Sequence, residues 1–288
     1  MENFKEKIII ALDYGDLKPV KKLLEKLKGR AYFYKIGFEL FTSCGAKSID
    51  LVKDYGCKVF LDLKYHDIPN TVYKAVKSAG KLGADIINVH ASGGLDMMKA
   101  AKMGGEEAAR AAGRHIDIIA VTVLTSLSDT DVKQVFYDTD NNAEEKERGE
   151  RDGIASGLAL HLAKLAKISG LDGVVCSGRE SLKIKNMLGR DFKTVTPGIR
   201  IKAKNVDADM NNGNNTGNRD GEIYGGAVTG KTNSLRGGWA DDQKRIMTPS
   251  AAFKAGANYI VVGREITEAE NPADALMDIY SDIEANFK

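Results

Sequence analysis

Eight short runs rich in Ile, Val and aromatic residues recur along the 288 residues of this chain, and segments of helical periodicity rich in Ala, Leu, Lys and Glu separate them. The runs are Ile8–Leu12, Tyr32–Ile36, Lys58–Asp62, Ile86–Val89, Ile118–Val123, Gly173–Cys176, Lys193–Thr196 and Tyr259–Val262. Alternating strand and helix signals imply a parallel sheet with crossover helices. Seven of the eight runs follow a glycine in a helix-stop position: Gly29, Gly56, Gly83, Gly113, Gly170, Gly189 and Gly256. Glycine there ends a helix in the left-handed conformation and turns the chain into the next strand. Eight strands, each followed by a helix, is the count of a (β/α)8 TIM barrel. The first turn, Asp13-Tyr14-Gly15-Asp16, lacks G-x-G-x-x-G, which removes the main support for an open dinucleotide-binding sheet.

Length alone leaves the domain count open, because α/β barrels reach roughly 250 residues as one domain. The forty residues Ile201 to Ala240 carry eight Gly and seven Asn without periodicity, and their charges nearly cancel. Such a stretch buries too little apolar surface to offset its ordering entropy, so it reads as a flexible insertion after strand seven. The expected organisation is one barrel domain over 1–288, with 201–240 inserted in the phosphate-side loop. The charged run Glu144 to Asp152 reads as a solvated helix face.

With 42 basic against 40 acidic residues the net charge is +2, which gives no electrostatic case for nucleic acid or an anionic membrane. Apolar Ile8–Leu12 is too short for a membrane span or a signal peptide and is followed at once by Asp13. Cys44, Cys57 and Cys176 are odd in number and widely spaced, as expected for reduced thiols in a cytoplasmic protein. The four histidines show no metal-ligand spacing, and no metal is expected.

Functional groups of a barrel stand at the C-terminal ends of its strands. There the chain carries Asp13 after strand one, Lys35 within strand two, and Asp62, Lys64 and Asp67 at and after strand three. Alternation turns Asp62 and Lys64 to the same face, into the mouth. An isolated Asp-x-Lys could be a structural ion pair. Alternating acids and bases around a mouth are instead expected where protons are handled. Pro197, Gly198 and Arg200 follow strand seven, and Gly263 and Arg264 follow strand eight. Those two loops are the habitual phosphate site of barrels.

The run Asp62-Leu63-Lys64-Tyr65-His66-Asp67-Ile68-Pro69-Asn70-Thr71 closely resembles the D-x-K-x-x-D-I-P-N-T signature of the orotidine 5′-phosphate decarboxylase family. Ala11-Leu12-Asp13, Tyr34-Lys35-Ile36-Gly37, Val89-His90-Ala91, Val123-Leu124-Thr125-Ser126, Pro197-Gly198-Ile199-Arg200 and Val262-Gly263-Arg264 follow in the family's order. The resemblance implies conversion of orotidine 5′-monophosphate to UMP without metal or organic cofactor. It implies that Lys64 protonates C6 beside Asp62 and Asp67, and that Asp13 and Lys35 contact the ribose. Thr125 and Ser128 would lie near the pyrimidine, and Pro197 would line the pocket. Gly263 and Arg264 would bind phosphate, with Arg200 and Gln243 on the closing loop. The family is a homodimer with shared sites, so Asp67, Ile68 and Thr71 would serve the partner.

Forty-two residues separate Arg200 from Gln243, far more than the short loop usual in the family. Two other readings compete. One is a Mg²⁺-dependent barrel such as 3-keto-L-gulonate 6-phosphate decarboxylase or hexulose-phosphate synthase, which shares D-x-K-x-x-D but lacks Ile-Pro-Asn-Thr. The other is a non-catalytic nucleotide-binding scaffold, against which the intact Asp62, Lys64 and Asp67 argue.

Overall fold

The computed structural model describes residues 4–137, 153–201 and 246–287. Eight parallel strands close into a barrel in chain order. They are β1 (Ile8–Leu12), β2 (Phe33–Ile36), β3 (Lys58–Tyr65), β4 (Ile86–His90), β5 (Asp117–Val121), β6 (Gly173–Val175), β7 (Lys193–Thr196) and β8 (Tyr259–Val262). The circle is completed by β1 pairing with β8 through Ile8↔Ile260. The first half carries helices α1 (Leu17–Leu27), α2 (Phe38–Cys44), α3 (Lys47–Asp54), α4 (Pro69–Lys81) and α5 (Gly94–Ala112). The second half carries α6 (Asp129–Phe136), α7 (Ile154–Ile168), α8 (Gly178–Leu188), α9 (Pro249–Lys254), α10 (Arg264–Thr267) and α11 (Pro272–Asn286). None of the described helices is long and apolar enough to cross a membrane.

The longer helices lay an apolar stripe on the barrel. In α1, Val20, Leu23, Leu24 and Leu27 are buried at i, i+3, i+4 and i+7, and the Asp16 side chain caps the start by accepting from the Lys18 amide. All seven helix-stop glycines have positive φ. Gly113 at the end of α5, at φ 61° and ψ 28°, sits in the left-handed region where a side chain is strained.

Strand alternation splits the core in two. Ile8, Ile10 and Leu12 face the helices and join the large outer core. Ile9 and Ala11 turn inward to meet Phe33, Phe60, Ile86, Ile119, Val195 and Val261 in a separate cluster that fills the barrel. The barrel is therefore plugged below its mouth, and a ligand must bind above that apolar layer.

The strands depart from the sequence expectation chiefly at β3, which runs on to Tyr65 instead of stopping at Asp62. Its register with β4 breaks between Leu61 and Tyr65, and the chain rejoins the ladder beyond an irregularity. Strand β5 is shifted, starting at Asp117 and ending at Val121. The run Glu144 to Asp152 and the inserted segment from residue 202 to Ala240 lie outside the described residues. The flanks of the inserted segment meet: the Arg200 amide donates to the Met247 carbonyl at 3.0 Å, and the Met247 amide to the Gly198 carbonyl at 3.1 Å.

Candidate active site

Residues two places beyond the barrel-filling layer form the mouth. Beyond Ala11, Phe33, Phe60 and Ile86 come Asp13, Lys35, Asp62 and Asn88, so four adjacent strands exchange an apolar inner residue for a polar one toward the mouth. The side chains meet. Lys35 Nζ lies 3.2 Å from Asp13 Oδ1 and 3.5 Å from Asp62 Oδ2, and Lys64 Nζ lies 2.7 Å from Asp62 Oδ1. Asp13, Lys35, Asp62 and Lys64 thus form a chain of alternating charge. Gly37 leaves room for it: a Cβ there would stand 3.0 Å from Lys35 Nζ.

Asp62 is only 8% exposed. Burial pushes its carboxyl up, but Lys35, Lys64 and the hydrogen bonds from Lys64 and Asn88 outweigh that and hold it below the usual carboxylate range. Burial pulls Lys35 down, and the Asp62 and Asp13 carboxylates more than reverse it, so its pKa is raised.

These shifts have a sign in stability. A depressed Asp62 stabilises the fold above its unfolded pKa of about 3.9, and this is lost as pH falls through the folded value. A raised Lys35 stabilises below about 10.4, and this is lost as pH rises past the folded value. Asp62→Asn is expected to lower the unfolding free energy by about 3 kcal/mol at neutral pH, as for a broken buried pair. Urea titrations should show that difference shrinking below about pH 4. A difference that grows toward acid would contradict the pairing.

Lys64 is the sole non-glycine residue with positive φ among the described residues, at 42°. It owes this to the irregularity in β3, where the strand leaves the pleat after Leu61 and re-pairs at Tyr65. The expected convergence of Asp62 and Lys64 is present, but the strand reaches it by this detour and not by plain alternation. Strain of this kind costs of order 1–3 kcal/mol and persists where the surroundings hold it. Here Asn88 accepts from the Lys64 amide at 2.8 Å and donates to Asp62 Oδ1 at 2.6 Å. Asn88 is fully buried and was not among the expected site residues. The signal was an amide inside the otherwise apolar run Ile86–Val89 at barrel-facing parity. On its open side Lys64 Nζ stands 5.3 Å from the centre of the Phe38 ring.

The rest of the signature turns outward. Asp67, Ile68 and Thr71 are exposed, Ile68 to 67%, and Asp67 Oδ1 accepts from the Ile68 amide at 2.6 Å. Among the described residues no ion pair joins Asp67 to Lys64. Thr125 is buried just beyond β5. Ser128 caps α6, its hydroxyl within 2.6 Å of Asp131 Oδ2 and accepting from the Asp131 amide at 3.3 Å. His66 and His90 lie with ring centres 5.5 Å apart and their planes tilted by 39°. Burial, then His66 and Lys64, lower the pKa of His90.

On the far side of the mouth, Arg200, Arg264, Glu265, Glu268 and Ala269 line an open cleft of about 410 Å³. Arg200 Nε stands 3.6 Å from Glu265 Oε1. Pro197 is half-buried at the end of β7, and Gly263 leads directly into Arg264 at the end of β8. Gln243 lies outside the described residues. A second cleft, of about 450 Å³, lies at the opposite end of the barrel around His115, Asp172 and Lys193. Two of its lining residues are engaged in ion pairs: Asp172 with Lys102 at 2.7 Å, and Lys193 with the neighbouring Asp117 at 2.6 Å.

Comparison with known proteins agrees with this geometry. A family model described as "Orotidine 5'-phosphate decarboxylase / HUMPS family" matches residues 6–236 and 231–279. Orotidine 5′-phosphate decarboxylase of Pseudoalteromonas translucida (strain TAC 125) is 41% identical over 283 residues, covering 97% of both chains. That of Idiomarina loihiensis is 40% identical over 277 residues, 96% of this chain and 97% of the relative. The crystal structure of orotidine 5′-phosphate decarboxylase from Lactobacillus acidophilus superposes with a TM-score of 0.68 at 35% identity, covering 96% of this chain and 98% of that one. The closed barrel, the charge chain at its mouth and matches along nearly the whole length make this chain a member of the orotidine 5′-phosphate decarboxylase / HUMPS family.

Proposed function

We propose that the protein decarboxylates orotidine 5′-monophosphate to UMP and carbon dioxide, the last step of pyrimidine nucleotide synthesis. The observation that carries this reading is the charge chain ending at Lys64, whose nitrogen lies 2.7 Å from the buried Asp62 carboxylate. When the bond from C6 to the carboxylate breaks, its electrons stay on C6 as a vinylic carbanion with no carbonyl placed to delocalise them. The site must favour that charge electrostatically and supply a proton at once. An ion-paired ammonium meets both needs: Lys64 gives its proton to C6 and regains one from solvent. The buried Asp62 carboxylate beside the substrate's own carboxylate disfavours the bound substrate relative to the transition state.

The remaining roles follow the same layout. Asp13 and Lys35 hold the ribose hydroxyls, Thr125 meets the pyrimidine, and Pro197 lines the pocket. Ser128, whose hydroxyl also caps α6, lies with Thr125 near the pyrimidine. The Gly263 amide and Arg264 bind phosphate, a planar guanidinium being suited to bidentate contact, and Arg200 and Gln243 belong to the closing loop. Phosphate binding remote from C6 then drives loop closure and exclusion of water.

We further propose a cytoplasmic homodimer with shared sites, each chain being one catalytic domain with 201–240 as an inserted loop. An exposed Ile68 beside an Asp67 that is not paired with its own Lys64 supports this reading. No cofactor takes part. Purified protein freed of divalent metal with EDTA should consume orotidine 5′-monophosphate at an undiminished rate. Loss of activity in EDTA, restored by Mg²⁺, would instead favour the gulonate- or hexulose-phosphate type of barrel.

A further inference from the structure

The break in β3 leaves Asn88 in an unusual position. Leu61 pairs with Ile87 and Tyr65 with Val89, so Asp62, Leu63 and Lys64 on β3 stand opposite Asn88 alone on β4. Three residues against one strips Lys64 of the backbone partner that a regular ladder would provide, and a buried N–H without an acceptor is strongly disfavoured. The Asn88 carbonyl oxygen fills that role at 2.8 Å. Its orientation is dictated by chemistry, because the Lys64 N–H can only donate and the Asp62 carboxylate can only accept. The amide must therefore turn its oxygen to Lys64 and its nitrogen to Asp62, 2.6 Å from the same Oδ1 that takes the Lys64 ammonium.

We propose that Asn88 is a positioning residue: it clamps the strained backbone of Lys64 and the carboxylate of Asp62 together, so that the ammonium is held at the point of proton delivery. This rests on the decarboxylase reading above. One rigid, fully buried side chain touches the backbone of the proton donor and the side chain of its counter-ion. An apolar residue of similar size would fill the space but leave the Lys64 N–H orphaned, and the backbone at φ 42° would relax toward ordinary strand geometry. Small displacements of this kind at a reacting group reduce rates by about 10²-fold.

The test compares Asn88→Leu and Asn88→Ser with the parent, measuring kcat, KM, UMP affinity and thermal midpoint together. Asn88→Leu is expected to lower kcat by about 10² to 10³, with KM and UMP affinity within about threefold, because neither phosphate nor ribose contacts run through Asn88. Asn88→Ser keeps a hydroxyl that donates and accepts and leaves space for a bridging water, and should recover roughly tenfold of that loss while staying clearly below the parent kcat. A kcat for Asn88→Leu within threefold of the parent would overturn the proposal. So would equal losses of kcat, UMP affinity and thermal midpoint in both variants, which would mark a purely structural side chain. If Asn88→Leu does not fold, the serine variant decides: a reduced kcat at unchanged UMP affinity supports the clamp, and an unchanged kcat refutes it. A parent that fails to decarboxylate orotidine 5′-monophosphate would sink the functional reading itself, a result separate from any of these.

Discussion

Lys64→Ala is expected to reduce kcat for orotidine 5′-monophosphate by at least about 10⁴-fold, because it removes both the proton donor and the cation facing the developing carbanion. UMP should still bind, since the cleft at Arg200 and Arg264 lies across the mouth from Lys64. The variant leaves Asp62 with Lys35 at 3.5 Å and Asn88 at 2.6 Å, enough to keep the carboxylate paired and the barrel folded. Ultraviolet progress curves on folded protein, with calorimetric titration of UMP, separate the two effects. A drop in kcat of less than tenfold would mean that another group supplies the proton.

Mixing two inactive variants should restore activity. If Asp67 serves the partner's site, a heterodimer of Lys64→Ala with Asp67→Ala has one site carrying both substitutions and one carrying neither. Random exchange of subunits then returns about a quarter of the parent activity, as half the dimers are mixed and half their sites intact. Each variant alone should stay inactive. The geometry behind this expectation is an Asp67 whose carboxylate takes its own Ile68 amide, next to an apolar side chain 67% exposed. No gain on mixing, after exchange has been verified with tagged chains, would place Asp67 in its own chain's chemistry.

Much of this molecule is legible in the sequence because barrels repeat one physical rule eight times. Apolar runs of strand length punctuated by helix-stop glycines fix the element order, and polar residues beyond Ala11, Phe33 and Phe60 mark which end is open. The charge chain is legible for the same reason, as Asp13, Lys35 and Asp62 all follow from parity. What parity cannot reveal is a local departure from it. The detour that gives Lys64 its positive φ depends on how β3 registers against β4, and no residue between Asp62 and Tyr65 announces it. Asn88 was missed for that reason: an amide in an apolar strand has meaning only once it is known to face three residues of its neighbour. Ser128 carries a signal that is legible, since Ser-x-x-Asp marks a helix cap and its hydroxyl caps α6.

The central claim, a lysine held by the Asp62 carboxylate that protonates C6 as carbon dioxide leaves, is tested most directly by the parent protein and its expected substrate. Orotidine 5′-monophosphate mixed with purified protein should change its ultraviolet spectrum to that of UMP, with one UMP formed per substrate consumed and no metal added. An unchanged absorbance spectrum with folded protein would contradict the account.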